Sequence, residues 1–186
     1  GIIPGVKVDL GGKDLAGFPG EKITEGLDGL RERLIEYKVQ GARFTKWRAI
    51  INIGQNIPSK YCILANAHGL SRFAALSQEA GLVPIVEPEV LMDGGHSAQT
   101  CYEITKETLR EVFYQLHLQR VALEGMLLKP NMVLSGKAAL SRVGPEEVAR
   151  LTISCFKRVI PPAVPGVVFL SGGQSDTEAT INLDAI

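Results

Sequence analysis

The sequence predicts an α/β fold, a (βα)8 TIM barrel of parallel strands covered by helices. Three observations predict it. Short apolar runs alternate with longer stretches of helical period, the rhythm of successive βα units. The runs are rich in Val, Ile and Leu, as buried parallel strands are. In four of the five runs a Lys, Arg, Glu or Ser falls within or at the end of the apolar segment, as inward positions of several strands do when they build one site at the carboxyl end of a barrel. An open doubly wound sheet fits the alternation equally well, and the placement of these polar residues favours the barrel.

The five runs are residues 5–9, 43–51, 82–90, 121–129 and 167–171. A helix is expected over 27–39, with Leu27, Leu30, Leu34 and Tyr37 on one stripe and Gly41 as its C-terminal stop. The next begins after Pro58, carries Ile63, Ala67, Leu70 and Ala74 at helical spacing, and stops at Gly81. A third covers 97–119. A fourth opens with Pro145, Glu146 and Glu147, where acidic side chains suit the positive end of the helix dipole, and stops before Pro161 and Pro162. A fifth begins at Ser175, whose spacing to Glu178 is that of a capping box. The Gly-rich stretch 10–20 reads as a loop.

The chain has 186 residues, 45% of them apolar, enough for a single barrel domain over 1–186. Twenty basic side chains balance twenty acidic ones, so no global field draws the protein to nucleic acid or to an anionic membrane, and any anion binding must be local. There is no apolar run of the roughly 20 residues a membrane span needs, and no signal-peptide pattern at the amino end. A cytoplasmic location is expected. Cys62, Cys101 and Cys155 are odd in number, far apart and in helical stretches, which predicts buried thiols and no disulfide framework. The chain opens on Gly1 without an initiator Met and closes inside a helix at Ile186, so a domain incomplete at both ends, inactive alone, is the expectation.

Lys129 leaves the end of an apolar strand. A buried amine is held less firmly as ammonium, and a neutral amine attacks a carbonyl to form a Schiff base; the alternative is a lysine that reaches solvent from a strand end. Lys46 and Arg48 share one strand face beside Phe44 and Trp47, where two buried cations call for an anion such as a phosphorylated substrate. Glu87 and Glu89 repeat the arrangement with opposite sign. One of them is a candidate acid or base, or both are counter-charges for Lys46 and Arg48. Lys7 and Asp9 form a third charged pair, read first as mutual neutralisation.

Ser171, Gly172 and Gly173 join a strand to a helix amino end, where free N–H groups and paired glycines suit a phosphate; a tight turn with a capping serine is the alternative. The same stretch, Leu170 to Gln174, spells LSGGQ, a signature of ATP-binding cassette proteins, but the phosphate loop such proteins need is absent. His68, His96 and His117 show no metal-ligand spacing, so no metal and no cofactor are expected.

Together, Val6-Lys7-Val8-Asp9, Phe44-Thr45-Lys46-Trp47-Arg48, Ile85-Val86-Glu87-Pro88-Glu89, Leu127-Leu128-Lys129-Pro130-Asn131 and Phe169-Leu170-Ser171-Gly172-Gly173-Gln174-Ser175 resemble class I fructose-bisphosphate aldolase in content, order and spacing, with Gly26 to Leu30 a further family-like segment. The resemblance implies metal-independent cleavage of fructose 1,6-bisphosphate to dihydroxyacetone phosphate and glyceraldehyde 3-phosphate, in glycolysis and gluconeogenesis. It implies that Lys129 forms the Schiff base, that Glu87 transfers protons and that Lys46 assists. Lys7 and Arg48 would bind the distal phosphate, Ser171 and Gly172 the one on the dihydroxyacetone side, with Asp9 and Glu89 as supporting charges. It further implies that the strands are the third to the seventh of the barrel, and that the assembly is a homotetramer. Gly95 stands where the family usually carries an acid, a change expected to be peripheral.

Overall fold

The structure, a computed structural model, describes residues 1–186. The first apolar run forms β1 (Gly5–Lys7), followed by a short antiparallel hairpin of β2 (Gly12–Asp14) with β3 (Lys22–Thr24). Then come α1 (Leu30–Val39), β4 (Phe44–Ile51), α2 (Lys60–Glu79), β5 (Val83–Val90), α3 (Ala98–Leu118), β6 (Leu127–Leu128), α4 (Pro145–Val159) and α5 (Asp176–Ala185). β1, β4, β5 and β6 make one parallel sheet in that order. Each crossover therefore advances one strand in the same direction. That is the winding of a barrel; a doubly wound sheet reverses strand order at a switch point.

Three expectations need correction. The run 121–129 forms only a two-residue strand, because Leu123–Gly125 coils as a 3₁₀ turn and Pro130 has no N–H to extend the ladder. The run 167–171 is not a strand but a single bridge from Val167 to Leu128, with the Val168 N–H donating to the Leu128 carbonyl at 2.9 Å. So short a neighbour gives it nothing more to pair with. The stretch 10–20 is not merely a loop: its residues 12–14 pair with 22–24, strands too short and too charged to show alternation.

On β4 the side chains alternate as period two demands, with Thr45, Trp47, Ala49 and Ile51 buried. Trp47 stacks on Phe73 of α2 with ring centroids 5.6 Å apart, inside a core that includes Leu30, Leu34, Leu70, Val86, Leu109, Leu116 and Leu128. Each large apolar side chain buried this way stabilises the fold by roughly 1.5–3 kcal/mol. The opposite face of β4 carries Lys46 and Arg48, which is what matters for the site. Serines cap three helices: Ser59, Ser97 and Ser175 accept N–H bonds from Cys62, Thr100 and Glu178 at 3.1, 3.1 and 3.2 Å. The capping box at α5 is half-formed, since the Glu178 carboxylate pairs with Arg142 instead. No helix is long and apolar enough to cross a membrane.

Cys62, Cys101 and Cys155 are free and buried in α2, α3 and α4. Burial pushes the Cys62 and Cys155 thiols up to about 12 and raises that of Cys101. At pH 8 the thiolate, the reactive form, is then a trace species at each. A disulfide reagent should titrate none of these three within minutes in the native state and all three after denaturation; rapid native reaction of any of them would contradict their burial.

Candidate functional site

The parallel register builds the site. Arg48 lies beside Glu87, and Lys46 beside both Lys7 and Ile85. Ile85 pairs with Leu127 and Val86 with Leu128, so the next step sets Lys129 beside Glu87 at the carboxyl end of β6. The Lys129 N–H donates to the Val86 carbonyl at 2.8 Å, which fixes the residue at the strand end.

The charged side chains of four neighbouring segments then meet. Glu87, 3% exposed, receives Lys129 Nζ at 3.2 Å on Oε1 and Lys46 Nζ at 2.8 Å on Oε2. The Lys46 approach lacks hydrogen-bond geometry, so Oε2 is a buried carboxylate oxygen with no hydrogen bond from the protein. Lys46 therefore holds that oxygen by charge, without a directed hydrogen bond. Lys46 also lies 3.8 Å from Asp9 Oδ2, and Lys7 lies 2.5 Å from Asp9 Oδ1. Asp9 is structural as well as electrostatic, because it accepts the N–H groups of Gly11 and Arg48, both at 3.1 Å.

Glu89 pairs with Arg48 through the guanidinium Nε, and this hydrogen bond is the main reason the Arg48 group titrates above its ordinary value. Both glutamates are counter-charges in the structure, Glu89 for Arg48 and Glu87 for Lys46 and Lys129. Glu87 is different, since it is shared between two lysines. Lys7, Lys46, Arg48 and Lys129 face Asp9, Glu87 and Glu89, which leaves one surplus positive charge in the cluster. A partly buried surplus cation favours an anionic ligand.

Ser171, Gly172 and Gly173 follow the segment that bridges at Val167 to Leu128, the residue before Lys129. Gly172 and Gly173 have φ of 63° and 87°, the left-handed region that a side chain resists. The loop is held from below by a buried amide chain: Asn182 Nδ2 donates to Gln174 Oε1 at 2.6 Å, and Gln174 Nε2 to the Ser171 carbonyl at 2.7 Å. Gly95 is exposed, and a Cβ there would meet only the Ala138 carbonyl at an ordinary 3.6 Å. His68 and His117 lie on helices, while His96 in the loop after β5 is half-buried with both ring nitrogens shielded and without hydrogen bonds, and burial pushes its pKa below the ordinary value.

Sequence reasoning missed the supports. Asn131, 2% exposed, accepts the Val90 N–H at 3.0 Å and donates to Thr105 of α3 at 3.0 Å, tying the segment after Lys129 to β5 and α3. Nothing in the local pattern marks Thr105, because its partner is 26 residues away. Asn131→Leu should cost about 2–3 kcal/mol, since it strands the buried Val90 N–H and Thr105 hydroxyl. Chemical denaturation of the full chain checks this, and an unchanged midpoint would refute it.

A family model for class-I fructose-bisphosphate aldolase matches residues 1–186. The chain is 60% identical over 184 residues to a probable fructose-bisphosphate aldolase class 1 of Xanthomonas campestris, covering 99% of this chain and 55% of that protein. It is 54% identical over 186 residues to the cytosolic fructose-bisphosphate aldolase 5 of Arabidopsis thaliana, covering 100% of this chain and 52% of that one. Among solved structures, the fructose-bisphosphate aldolase of Plasmodium falciparum, in a ternary complex with TRAP and a small-molecule inhibitor, superposes with a TM-score of 0.97 at 48% identity, over 100% of this chain and 54% of that one. The chain thus spans about half the length of the curated relatives it matches, and its strands are consecutive strands of a (βα)8 barrel.

Proposed function

The chain belongs to the class I fructose-bisphosphate aldolase family, and on that premise we propose that it supplies the Schiff-base centre of an enzyme that cleaves fructose 1,6-bisphosphate to dihydroxyacetone phosphate and glyceraldehyde 3-phosphate, reversibly and without a metal. The observation that carries the reading is the Lys129–Glu87–Lys46 cluster. It joins an amine at a strand end to a buried carboxylate within 3.2 Å, with a second cation 2.8 Å from the other oxygen.

The steps follow from that arrangement. The Lys129 ammonium passes a proton to the Glu87 carboxylate beside it, and the neutral amine adds to the C2 carbonyl of the open-chain ketose, forming a C–N bond as the carbonyl oxygen takes up the proton shed by the nitrogen. The carbinolamine hydroxyl leaves as water after taking a proton from the Glu87 carboxyl, which gives the protonated Schiff base. Glu87, now a carboxylate, accepts the proton of the C4 hydroxyl. The C3–C4 electron pair then flows into the iminium, and glyceraldehyde 3-phosphate departs. Protonation of the enamine at C3 and addition of water return Lys129 and release dihydroxyacetone phosphate. Lys46 offsets the changing charge on Glu87 throughout, at a contact distance where a fixed cation is most effective.

The two phosphates need anchors on opposite sides of this centre. Lys7 and Arg48 take the distal one, and Ser171 with Gly172 takes the one on the dihydroxyacetone side, with Gly173 leaving the backbone open to its approach. Asp9 and Glu89 hold the cations in place. A homotetramer working in the cytoplasm completes the proposal, in keeping with the resemblance and with the cytosolic name of the Arabidopsis relative.

The test is cleavage by the full chain of fructose 1,6-bisphosphate against fructose 1-phosphate, with and without a chelator. Cleavage of the bisphosphate that survives chelation supports the reading. No cleavage, or cleavage abolished by the chelator, would refute it.

A further inference from the structure

The loop after β6 places one cation that none of the mechanistic steps uses. Lys137 follows the buried segment 130–136 and is anchored by its N–H, which donates to the Met92 carbonyl at 2.8 Å. Its side chain runs to Gly173. A Cβ built on Gly173 would lie 2.7 Å from Lys137 Nζ, closer than real Cβ atoms come, and a tight 3.2 Å from its Cε. The ammonium therefore occupies the space that glycine leaves free, against the backbone of the loop that follows Ser171.

We propose that Lys137 is a further binding residue for the substrate phosphate on the Ser171–Gly172–Gly173 loop, its ammonium adding charge to the backbone donors there. The inference rests on the proposed function, since it needs that loop to hold a phosphate. Two observations favour ligand binding over a purely structural role. The only carboxylate near Lys137 is Asp93, at 3.4 Å, and both side chains are about half exposed or more, at 48% and 66%. So loose a pair contributes little to stability and leaves the ammonium open to a stronger anion. The second is the glycine itself, which lets the lysine reach the loop backbone; a side chain at 173 would displace it and would also have to adopt a φ of 87°.

The experiment is steady-state kinetics on the full chain with Lys137→Met, Lys137→Arg and Asp93→Asn. Lys137→Met should raise KM for fructose 1,6-bisphosphate about fivefold to tenfold and weaken competitive inhibition by inorganic phosphate by a similar factor, with kcat within about twofold. Lys137→Arg should restore most of the affinity. Asp93→Asn should lower KM or the phosphate inhibition constant, because it frees the lysine from its competitor. If Lys137 served only the ion pair, Lys137→Met and Asp93→Asn would change both constants in the same direction, and that result would overturn the proposal. So would unchanged constants in an active Lys137→Met enzyme. A full chain that does not cleave the bisphosphate at all would instead remove the underlying reading, which separates the two failures.

Discussion

Lys129→Met in the full chain should abolish aldol cleavage, lowering kcat by roughly 10⁵-fold or more, as removal of a covalent nucleophile does. Three lysines stand in the cluster, so the choice has to be argued. Lys7 is bound to Asp9 and is half exposed, at 52%. Lys46 is shared between Glu87 and Asp9, and is therefore placed to steady charge. Lys129 has a single carboxylate partner, Glu87, at 3.2 Å, whose other oxygen lies 2.8 Å from the fixed charge of Lys46. An attacking amine needs such a neighbour, because the proton it sheds and the water it expels both pass through an acid–base group within contact distance. Borohydride reduction in the presence of dihydroxyacetone phosphate should fix label on the peptide that contains Lys129. Label on Lys7 or Lys46 would show that the nucleophile was misassigned.

How far the sequence alone reaches is clear from particular residues. The period-two alternation of Lys46 and Arg48 against Trp47 and Ala49 survives intact on β4, because a strand packed on helices must bury every second side chain. The helices are equally legible: α2 begins just after Pro58 and α3 within one residue of its expected start, each under a serine cap. Strand lengths were not legible. β6 is short because the chain before it coils at Leu123–Gly125 and Pro130 follows close after it, and the run 167–171 is left with a single bridge for a reason that lies in another part of the chain.

The same limit applies to the site. Lys129, Glu87, Lys46, Arg48, Lys7 and Asp9 are visible as polar residues in apolar runs, and the register brings them together. Which carboxylate serves which cation is a matter of register. Glu87 and Glu89 are indistinguishable in the sequence, and only the pairing of Arg48 with Glu89 separates them. Asn131, Thr105, Gln174 and Asn182 act through buried hydrogen bonds, two of which span 41 and 26 residues, and polar residues in such roles carry no local signature. Lys137 was hidden for the same reason, since its place is defined by the space at Gly173.

Glu87→Gln should lower kcat by about 10²–10⁴-fold while leaving KM for fructose 1,6-bisphosphate within a few-fold, the pattern of a group that acts on protons in the transition state. Glutamine keeps the size and one acceptor oxygen, so packing against β4 and β6 should persist. What it cannot do is take up or return a proton. It also removes a negative charge that lies between two lysines, at 2.8 and 3.2 Å, so a modest loss of stability should accompany the kinetic effect. The control is Ser171→Ala, which removes a hydroxyl from the exposed glycine loop and touches none of the Glu87 contacts. That variant should raise KM by about tenfold with little change in kcat, because it weakens phosphate binding alike in the bound substrate and the transition state. Single-turnover trapping sharpens the comparison: Glu87→Gln should form the borohydride-reducible adduct slowly but on Lys129, whereas Ser171→Ala should form it at the normal rate once the substrate is saturating. Should Glu87→Gln instead weaken binding and spare turnover, the carboxylate would be only a counter-charge, like Glu89, and the proton would have to move through another group.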